Sequence, residues 1–500
     1  MTDSTLWLTN RSAYQREHNQ CDHARFLEYH SGPYGYGIRL KAESVYLPTG
    51  IFFHKILEGV VKLAIEIGWK DFEASKYRAD TRVIINGAVD RYYRLLDARG
   101  LRNMDLVEQE YTIAEQATLI EGLGWAWSMT LLPYLIKYFT PLSVEVEDVV
   151  VLGCSCGLPT GVGEPEDHAT RGCNGIAWCS KADLITARDA DGAAGWHEYK
   201  TGAEVFRKTF SERWDTNVQF ASGILGAERR LQREITHIYV HGLQKGSRKS
   251  QYDDDKKDYS GPRRQNSILC YAYCKPADPP VLPLDDWRVK YQWYENDPHT
   301  GKRHMRRLGK GYEKVPIWEA EFFGRPGGWS NVEYWTAWLG PIRMNEEVCL
   351  LLGPYERPTQ MLEEFVVEAA AEERRWQDRL WAVHDARTQA YDRLMAARPV
   401  FDESGSRISF EVVEVQPEVQ KALRENFPKN WEGCRSYYGD VCEFLDPICL
   451  KRVGWDDPLG SLKYIHRRPH HQPEIDQMIA RGLPVPTDPD AEEGIDDDGE

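Results

Sequence analysis

The 500-residue chain carries 78 acidic and 62 basic side chains, a formal net charge of -16, and is 42% hydrophobic and 12% aromatic. That length holds two or three domain-sized units, or one core with large insertions, and the composition excludes a disordered or fibrous chain. The most apolar stretch, residues 131–139, is broken by Pro133 and Lys137 and falls far short of the roughly 20 residues a bilayer requires. The N-terminus lacks the basic start and apolar run of a secretory signal. A cytoplasmic location with no membrane partner is therefore expected, and the 11 cysteines are expected to be reduced or to ligate metal. Charge is unevenly spread. Residues 486–500 hold eight acids and no base, half of the net charge, and read as a disordered acidic tail over 485–500. Bases gather in two loops, Lys245, Arg248, Lys249, Lys256, Lys257, Arg263 and Arg264 in the first, and Lys302, Arg303, Arg306, Arg307 and Lys310 in the second. Taken alone, such runs are solvated surface.

In chain order, residues 1–45 form an N-terminal segment containing Cys21. Residues 46–142 read as helical, beginning with GIFFHKILEGVVKLAIEIG, whose apolar side chains recur at helical spacing up to Gly68. From 143 to 275 the pattern changes to an α/β core: strands SVEVEDVVVLG, GIAWCSKADLITARD and GWHEYKTG, a helix over 215–233, and the strand THIYVHGLQKG. Residues 276–358 read as an insertion carrying the second basic loop. Residues 359–398 form one long charged helix between Pro358 and Pro399. The segment 420–472 is rich in Cys, His and aromatics.

The most informative stretch is CSKADLITARDADGAAGWHEYKTG. Asp183 lies on one strand, a DADG turn follows, and the next strand carries Glu198, Tyr199, Lys200 and Thr201. A hairpin brings Asp183 and Glu198 side by side, and strand alternation sends Glu198 and Lys200 to one face. Two carboxylates beside an ammonium make a hard-metal site for Mg²⁺ or Mn²⁺, which accept phosphate oxygens as further ligands. The metal lowers the pKa of a bound water, and the lysine orients the nucleophile or offsets developing charge. An isolated E-x-K is more often an exposed hairpin pair; the Asp, the two strands, the Thr-Gly and the following helix together raise its weight.

These residues resemble the PD-(D/E)XK nuclease superfamily, specifically its RecB-like branch. The family pattern of a G-x-x-D strand, a [DE]-x-K-T strand and a helix with Gln-x-x-x-Tyr is similar to SKAD ending at Asp183, EYKT from Glu198 to Thr201, and Gln219 in VQFASGILGAE. Ser180 stands where the family has Gly, and Gly223 where it has Tyr. An upstream G-x-x-x-H matches Gly50 and His54. The resemblance covers the two chain ends and roughly residues 145–240. It implies a restriction-endonuclease-like core, a mixed central sheet flanked by helices, with large helical insertions. It also implies catalysis by Asp183, Glu198, Lys200 and Gln219, with metal on His54, Asp183, Glu198 and the Tyr199 carbonyl.

Cys21 near the start and Cys434, Cys442 and Cys449 near the end form a second constellation. Four thiolates could hold Zn²⁺ or an iron–sulfur cluster. RecB-like relatives, including CRISPR-associated exonucleases and the nuclease domains of helicase-nucleases, carry one Cys before the core and three after it. The resemblance therefore implies a [4Fe-4S] cluster binding the Cys-rich C-terminal region to the N-terminus. Cys154, Cys156, Cys173 and Cys179 form a looser group, a lesser zinc or cluster candidate, and His466, His470 and His471 could bind metal or touch phosphate.

The expected function is a Mg²⁺- or Mn²⁺-dependent DNA nuclease, exonuclease-like on single strands or DNA ends. Lys245, Arg248, Lys249, Lys302, Arg303, Arg306 and Arg307 are its expected phosphate contacts, and Tyr291, Trp293 and Tyr294 are candidates for base stacking. No Walker A pattern occurs, so any helicase or recombination motor would be a separate partner. The alternative expectation is an inactive nuclease-fold protein that binds DNA or a partner and keeps a structural zinc or iron–sulfur centre.

Overall fold

The computed structural model describes residues 7–14, 21–29, 37–40, 46–102, 107–154, 175–212, 214, 218–245, 268, 271–274, 295–296, 303–304, 313–316, 318, 325–357, 359–397, 413–429, 442, 444, 464–469, 471–480 and 485–486. In chain order the elements that place the site are β1 (Trp7–Asn10), α1 (Asp22–Tyr29), β2 (Ile38–Leu40), α2 (Leu47–Ile67), α3 (Arg78–Ala98), α4 (Val107–Tyr138), β3 (Phe139–Cys154), β4 (Gly175–Arg188), β5 (Ala194–Gly202), α5 (Val218–Leu231), β6 (Ile235–Gln244), α6 (Asn331–Glu347), β7 (Cys349–Glu356), α7 (Thr359–Ala397), α8 (Pro417–Asn426), β8 (Tyr464–His466) and α9 (Gln472–Ala480). The protein is α/β, with a mixed six-stranded sheet running β1-β4-β5-β6-β7 and β3 on the remaining edge of β4. No helix among the described residues is long and apolar enough to cross a membrane.

Strand β4 organises this sheet. β3 pairs with it antiparallel along its whole length, from Phe139 opposite Arg188 to Cys154 opposite Gly175. The other edge is divided between two partners. β5 takes Leu184 to Ala187 antiparallel, and β1 takes Ile176 to Cys179 in parallel. Residues 180–183 thus have no strand on that edge among the described residues. α5 connects β5 to the parallel β6, the long connection that a parallel pair requires.

Both sheet faces are covered. On one, α2, α3 and α4 bury Phe53, Ile56, Leu57, Ile85, Tyr92, Leu123 and Trp127 against Leu184, Tyr199 and Leu243. On the other, α5 and α7 bury Phe220, Ile224, Leu362 and Ala369 against Trp178, Ile185, Trp196 and Val240. Leu47–Ile67 forms a helix because Pro48 sits in its first turn and Phe52, Phe53, Ile56, Leu57, Val60, Val61 and Ala64 fall on the inner face. It stops at Gly68, whose φ of 116° lets its N–H reach the carbonyls of Ala64 and Ile65.

A third cluster joins the two ends of the chain. Ala24, Phe26, Leu27, Trp376, Leu380, Val419 and Phe427 form it, and both Cys21 and Cys442 belong to it or pack against it. Cys21 precedes α1, where its Sγ accepts the Ala24 N–H at 3.3 Å. His23 lies in the same region, stacked on Phe26, with its Nδ1 buried and lacking a hydrogen-bond partner among the described residues. Burial, aided by Lys429, pushes its pKa down to about 4. Below pH 6.5 the unfolded chain takes a proton that the folded chain does not, so stability falls with pH, by about 2 kcal/mol from this residue at pH 5. His23→Gln is expected to lack that share of the acid loss, measured as the difference in urea unfolding between pH 7 and pH 5.

Candidate metal centre

Asp183 sits in the uncovered part of β4. The β4–β5 ladder ends at Leu184 opposite His197, one residue short of Asp183 and Glu198, so the strands part at the two acids. The parting leaves the Tyr199 N–H without a strand partner on β4, and the Asp183 side chain supplies one: Oδ2 accepts that N–H at 2.7 Å. The other oxygen, Oδ1, is 3.5 Å from His54 Nδ1 on α2. Gly50 permits this approach, because a Cβ there would stand 3.1 Å from Thr201 Oγ1 on β5. α2 is also fixed to α4 by the Thr49 hydroxyl, which donates to Gln116 Oε1 at 2.8 Å. The G-x-x-x-H and K-T pieces of sequence are thus in direct apposition.

A third donor comes from β3. Glu145 faces Asp183 in the β3–β4 register, between Val144 opposite Leu184 and Val146 opposite Ala182. Its φ of 50° is left-handed, a conformation that costs a non-glycine residue about 1–2 kcal/mol. Oε2 of Glu145 pairs with Lys181 Nζ at 2.5 Å, while Oε1 is buried with no hydrogen-bond partner among the described residues. Among those residues, one donor atom each from His54, Glu145 and Asp183 lie within 4.8 Å of one another. Two carboxylates and an imidazole, one carboxylate oxygen otherwise unsatisfied, fit a divalent cation.

Charge coupling holds the group together. Burial disfavours a charged imidazole at His54, but the adjacent Asp183 carboxylate outweighs it and raises the pKa above the usual value. Burial likewise opposes ionisation of Asp183, and His54, Lys200 and the Tyr199 N–H overcome it and hold the carboxyl below its ordinary range. Glu145 goes the other way, raised by burial and by Asp183 against the pull of Lys181.

Beneath the site, a buried polar chain fixes the strands. Trp127 Nε1 can only donate, and it does so to His241 Nδ1 at 3.4 Å. The neutral His241 ring then donates from Nε2 to His197 Nδ1 at 3.0 Å, and His197 donates from Nε2 to Thr186 Oγ1 at 2.8 Å. Burial holds both histidines neutral, pushing His241 down to about 3 and His197 well below its usual value. The chain ties α4, β6, β5 and β4 together directly under Tyr199, whose ring packs edge-on against His54, Trp127 and His241.

The expected residues are distributed as follows. Asp183 and His54 are together. Lys200 donates to Glu198 Oε1, so these two share a face as alternation predicts, and Trp196 Nε1 donates to Glu198 Oε2 at 3.1 Å. Glu198 is 1% exposed and is not among the three converging donors. Gln219 lies on α5, with its side chain outside the described residues. Lys245 follows β6 beside the start of α2, its Nζ 3.5 Å from the Tyr46 carbonyl, and burial lowers its pKa. Arg248, Lys249, Lys302, Arg306, Arg307, Tyr291, Trp293, Tyr294, Cys434, Cys449, Cys156, Cys173, His470 and the Arg303 and Cys154 side chains lie outside the described residues. Cys179 is buried on β4, where desolvation raises its pKa. His471 Nδ1 stands 3.5 Å from Glu147 Oε1, two residues along β3 from Glu145.

The structure accounts for Gly223, which stands where the nuclease pattern has Tyr. A Cβ there would lie 2.3 Å from Trp196 Cη2, the same indole that holds Glu198. Gly223→Ala is therefore expected to cost about 1–3 kcal/mol through overpacking, seen as a lower urea midpoint.

Glu145 was not anticipated by motif reading. In SVEVEDVVV it is one of two alternating acids on a half-buried strand, a pattern that ordinarily marks a solvated face. No protein-family model and no curated protein matches the chain.

Proposed function

We propose that the protein is a divalent-metal-dependent DNA nuclease of the PD-(D/E)XK type, RecB-like, hydrolysing phosphodiesters in single strands or at free ends. The observation that carries this reading is the interruption of the β4 edge at Asp183, where the carboxylate stands 3.5 Å from the α2 imidazole and within the electrostatic influence of the E-x-K lysine. The strand, turn, strand, helix order from β4 to α5 supports it, since it is the order the resemblance implies.

A Mg²⁺ or Mn²⁺ ion here would polarise a phosphodiester and lower the pKa of a coordinated water. The chain's own groups do the rest. Asp183 stays ionised because His54 and Lys200 stand beside it. Lys200, anchored on Glu198, offers N–H donors to the attacking water or to a phosphate oxygen. Lys245, beside the start of α2, would be a contact for a neighbouring phosphate. Cys21 and Cys442 pack against one apolar cluster although they come from opposite ends of the chain, which supports the proposal that they share an iron–sulfur or zinc centre with Cys434 and Cys449. A helicase or recombination protein would then be a separate partner.

The test is cleavage of linear single-stranded, linear duplex and circular single-stranded DNA with Mg²⁺ or Mn²⁺. Linear single strands are expected to be degraded and circles spared. Cleavage of none of the three would remove the nuclease reading.

A further inference from the structure

We propose that Glu145, and not the E-x-K glutamate Glu198, completes the cation shell with His54 and Asp183, and that Lys181 is the positioning residue that aims it. The inference rests on the metal-dependent part of the reading above and departs from the ligand set that the sequence motif implies.

Three independent observations converge on Glu145. Its backbone is left-handed in the middle of a strand, a strain that persists where surrounding structure or function requires it. Its side chain is 8% exposed, yet Oε1 has no hydrogen-bond partner among the described residues. A buried carboxylate oxygen without a donor is unfavourable in the folded chain and becomes favourable once a cation takes it. That oxygen belongs to the residue whose donor atom lies within 4.8 Å of those of His54 and Asp183.

Glu198 is engaged elsewhere. One of its oxygens accepts from Trp196 Nε1 and the other from Lys200, so both are satisfied without a cation. Its place is to hold the Lys200 ammonium beside Asp183. Two Glu–Lys pairs therefore flank Asp183, Glu198–Lys200 within β5 and Glu145–Lys181 bridging β3 to β4, with different tasks: Glu198–Lys200 faces the substrate, and Glu145–Lys181 faces the metal. In the second pair, Lys181 occupies Oε2 at 2.5 Å, while Oε1 keeps no hydrogen-bond partner among the described residues and is free to take a cation. Such outer contacts typically change metal affinity about 10- to 100-fold when removed. With an imidazole among the donors, the site favours Mn²⁺ over the more strictly oxygen-seeking Mg²⁺.

The experiment is Mn²⁺ titration of the full chain, followed by the electron paramagnetic resonance signal of free Mn²⁺, without DNA. Glu145→Gln is expected to weaken binding at least about tenfold and Glu198→Gln less than about threefold. Lys181→Met is expected to weaken it about tenfold, with Lys181→Arg restoring most of the loss. Glu145→Gly guards against misfolding as the cause: glycine relieves the left-handed strain, so this variant is expected to unfold at higher urea while still losing Mn²⁺. Loss of binding in Glu198→Gln with retention in Glu145→Gln would overturn the ligand assignment. Wild-type affinity in Lys181→Met would overturn the positioning role. No Mn²⁺ binding by the wild type would overturn both this inference and the metal-dependent reading. A protein that binds Mn²⁺ as expected but leaves DNA intact would overturn the nuclease reading alone.

Discussion

Asp183→Asn is expected to slow single-turnover DNA cleavage by about three orders of magnitude or more. The substitution preserves shape, and the carbonyl oxygen of the introduced amide can still accept the Tyr199 N–H, so β4 and β5 are expected to keep their geometry. What it removes is the negative charge around which His54, Lys200 and the expected cation are arranged. Removing one preorganised electrostatic contact at a reacting centre costs on the order of 10²–10³ in rate, and loss of a cation ligand adds to that. Lys200→Met is expected to fall at the lower end, about 10²-fold, because Glu198 and the three converging donors remain. Quenched-flow cleavage of an end-labelled oligonucleotide, beside unchanged circular dichroism, measures both. Cleavage by Asp183→Asn at the wild-type rate would place the chemistry elsewhere in the protein.

Glu373→Gln is expected to destabilise the folded chain by about 3–5 kcal/mol. Glu373 on α7 and Arg25 on α1 are both fully buried, with Arg25 Nη2 at 2.6 and 2.7 Å from the two carboxylate oxygens. Trp7 Nε1 and Thr9 Oγ1 donate to the same carboxylate, and the Arg25 guanidinium lies 4.2 Å over the Trp376 ring. Neutralising Glu373 removes the carboxylate charge that the buried guanidinium meets through both oxygens, the costly half of the change. Arg25→Met combined with Glu373→Leu is expected to recover much of the loss, because both charges then leave together. Urea midpoints of the three proteins measure this. Since the pair clasps β1 and α1 to α7, its loss is also expected to expose the N-terminal segment to proteolysis first.

The parts of this protein that sequence made visible are those written in local pattern. The strand beginning GIAWC, the DADG turn, the EYKT strand and the helix from Thr359 lie where periodicity and turn chemistry put them, the last ending at Ala397, one residue before the expected Arg398. His54 and Asp183 were found through motif spacing, and the fold brings them to 3.5 Å although α3, α4 and β3 intervene in the chain. What was not visible depends on register and backbone handedness. Glu145 is set apart from Glu147 by facing Asp183 and by its positive φ, neither of which leaves a mark in an alternating strand sequence. The four residues of β1 are too short to announce a strand, yet their parallel pairing with Ile176 to Cys179 defines one end of the opening at Asp183. Gly223 reads as a departure from the nuclease pattern, and the occupant of the vacated space, Trp196, is set by how α5 packs on β5, which the periodicity of neither element states.

The most direct measurement is single-turnover hydrolysis of a 5′-labelled single-stranded oligonucleotide by the wild-type protein with Mn²⁺, with Mg²⁺ and with a chelator, beside Asp183→Asn. Shortened products with either metal, none with the chelator and at most traces from the variant are expected. Intact oligonucleotide under every condition, or equal cleavage by the variant, would contradict a metal-dependent phosphodiesterase at Asp183.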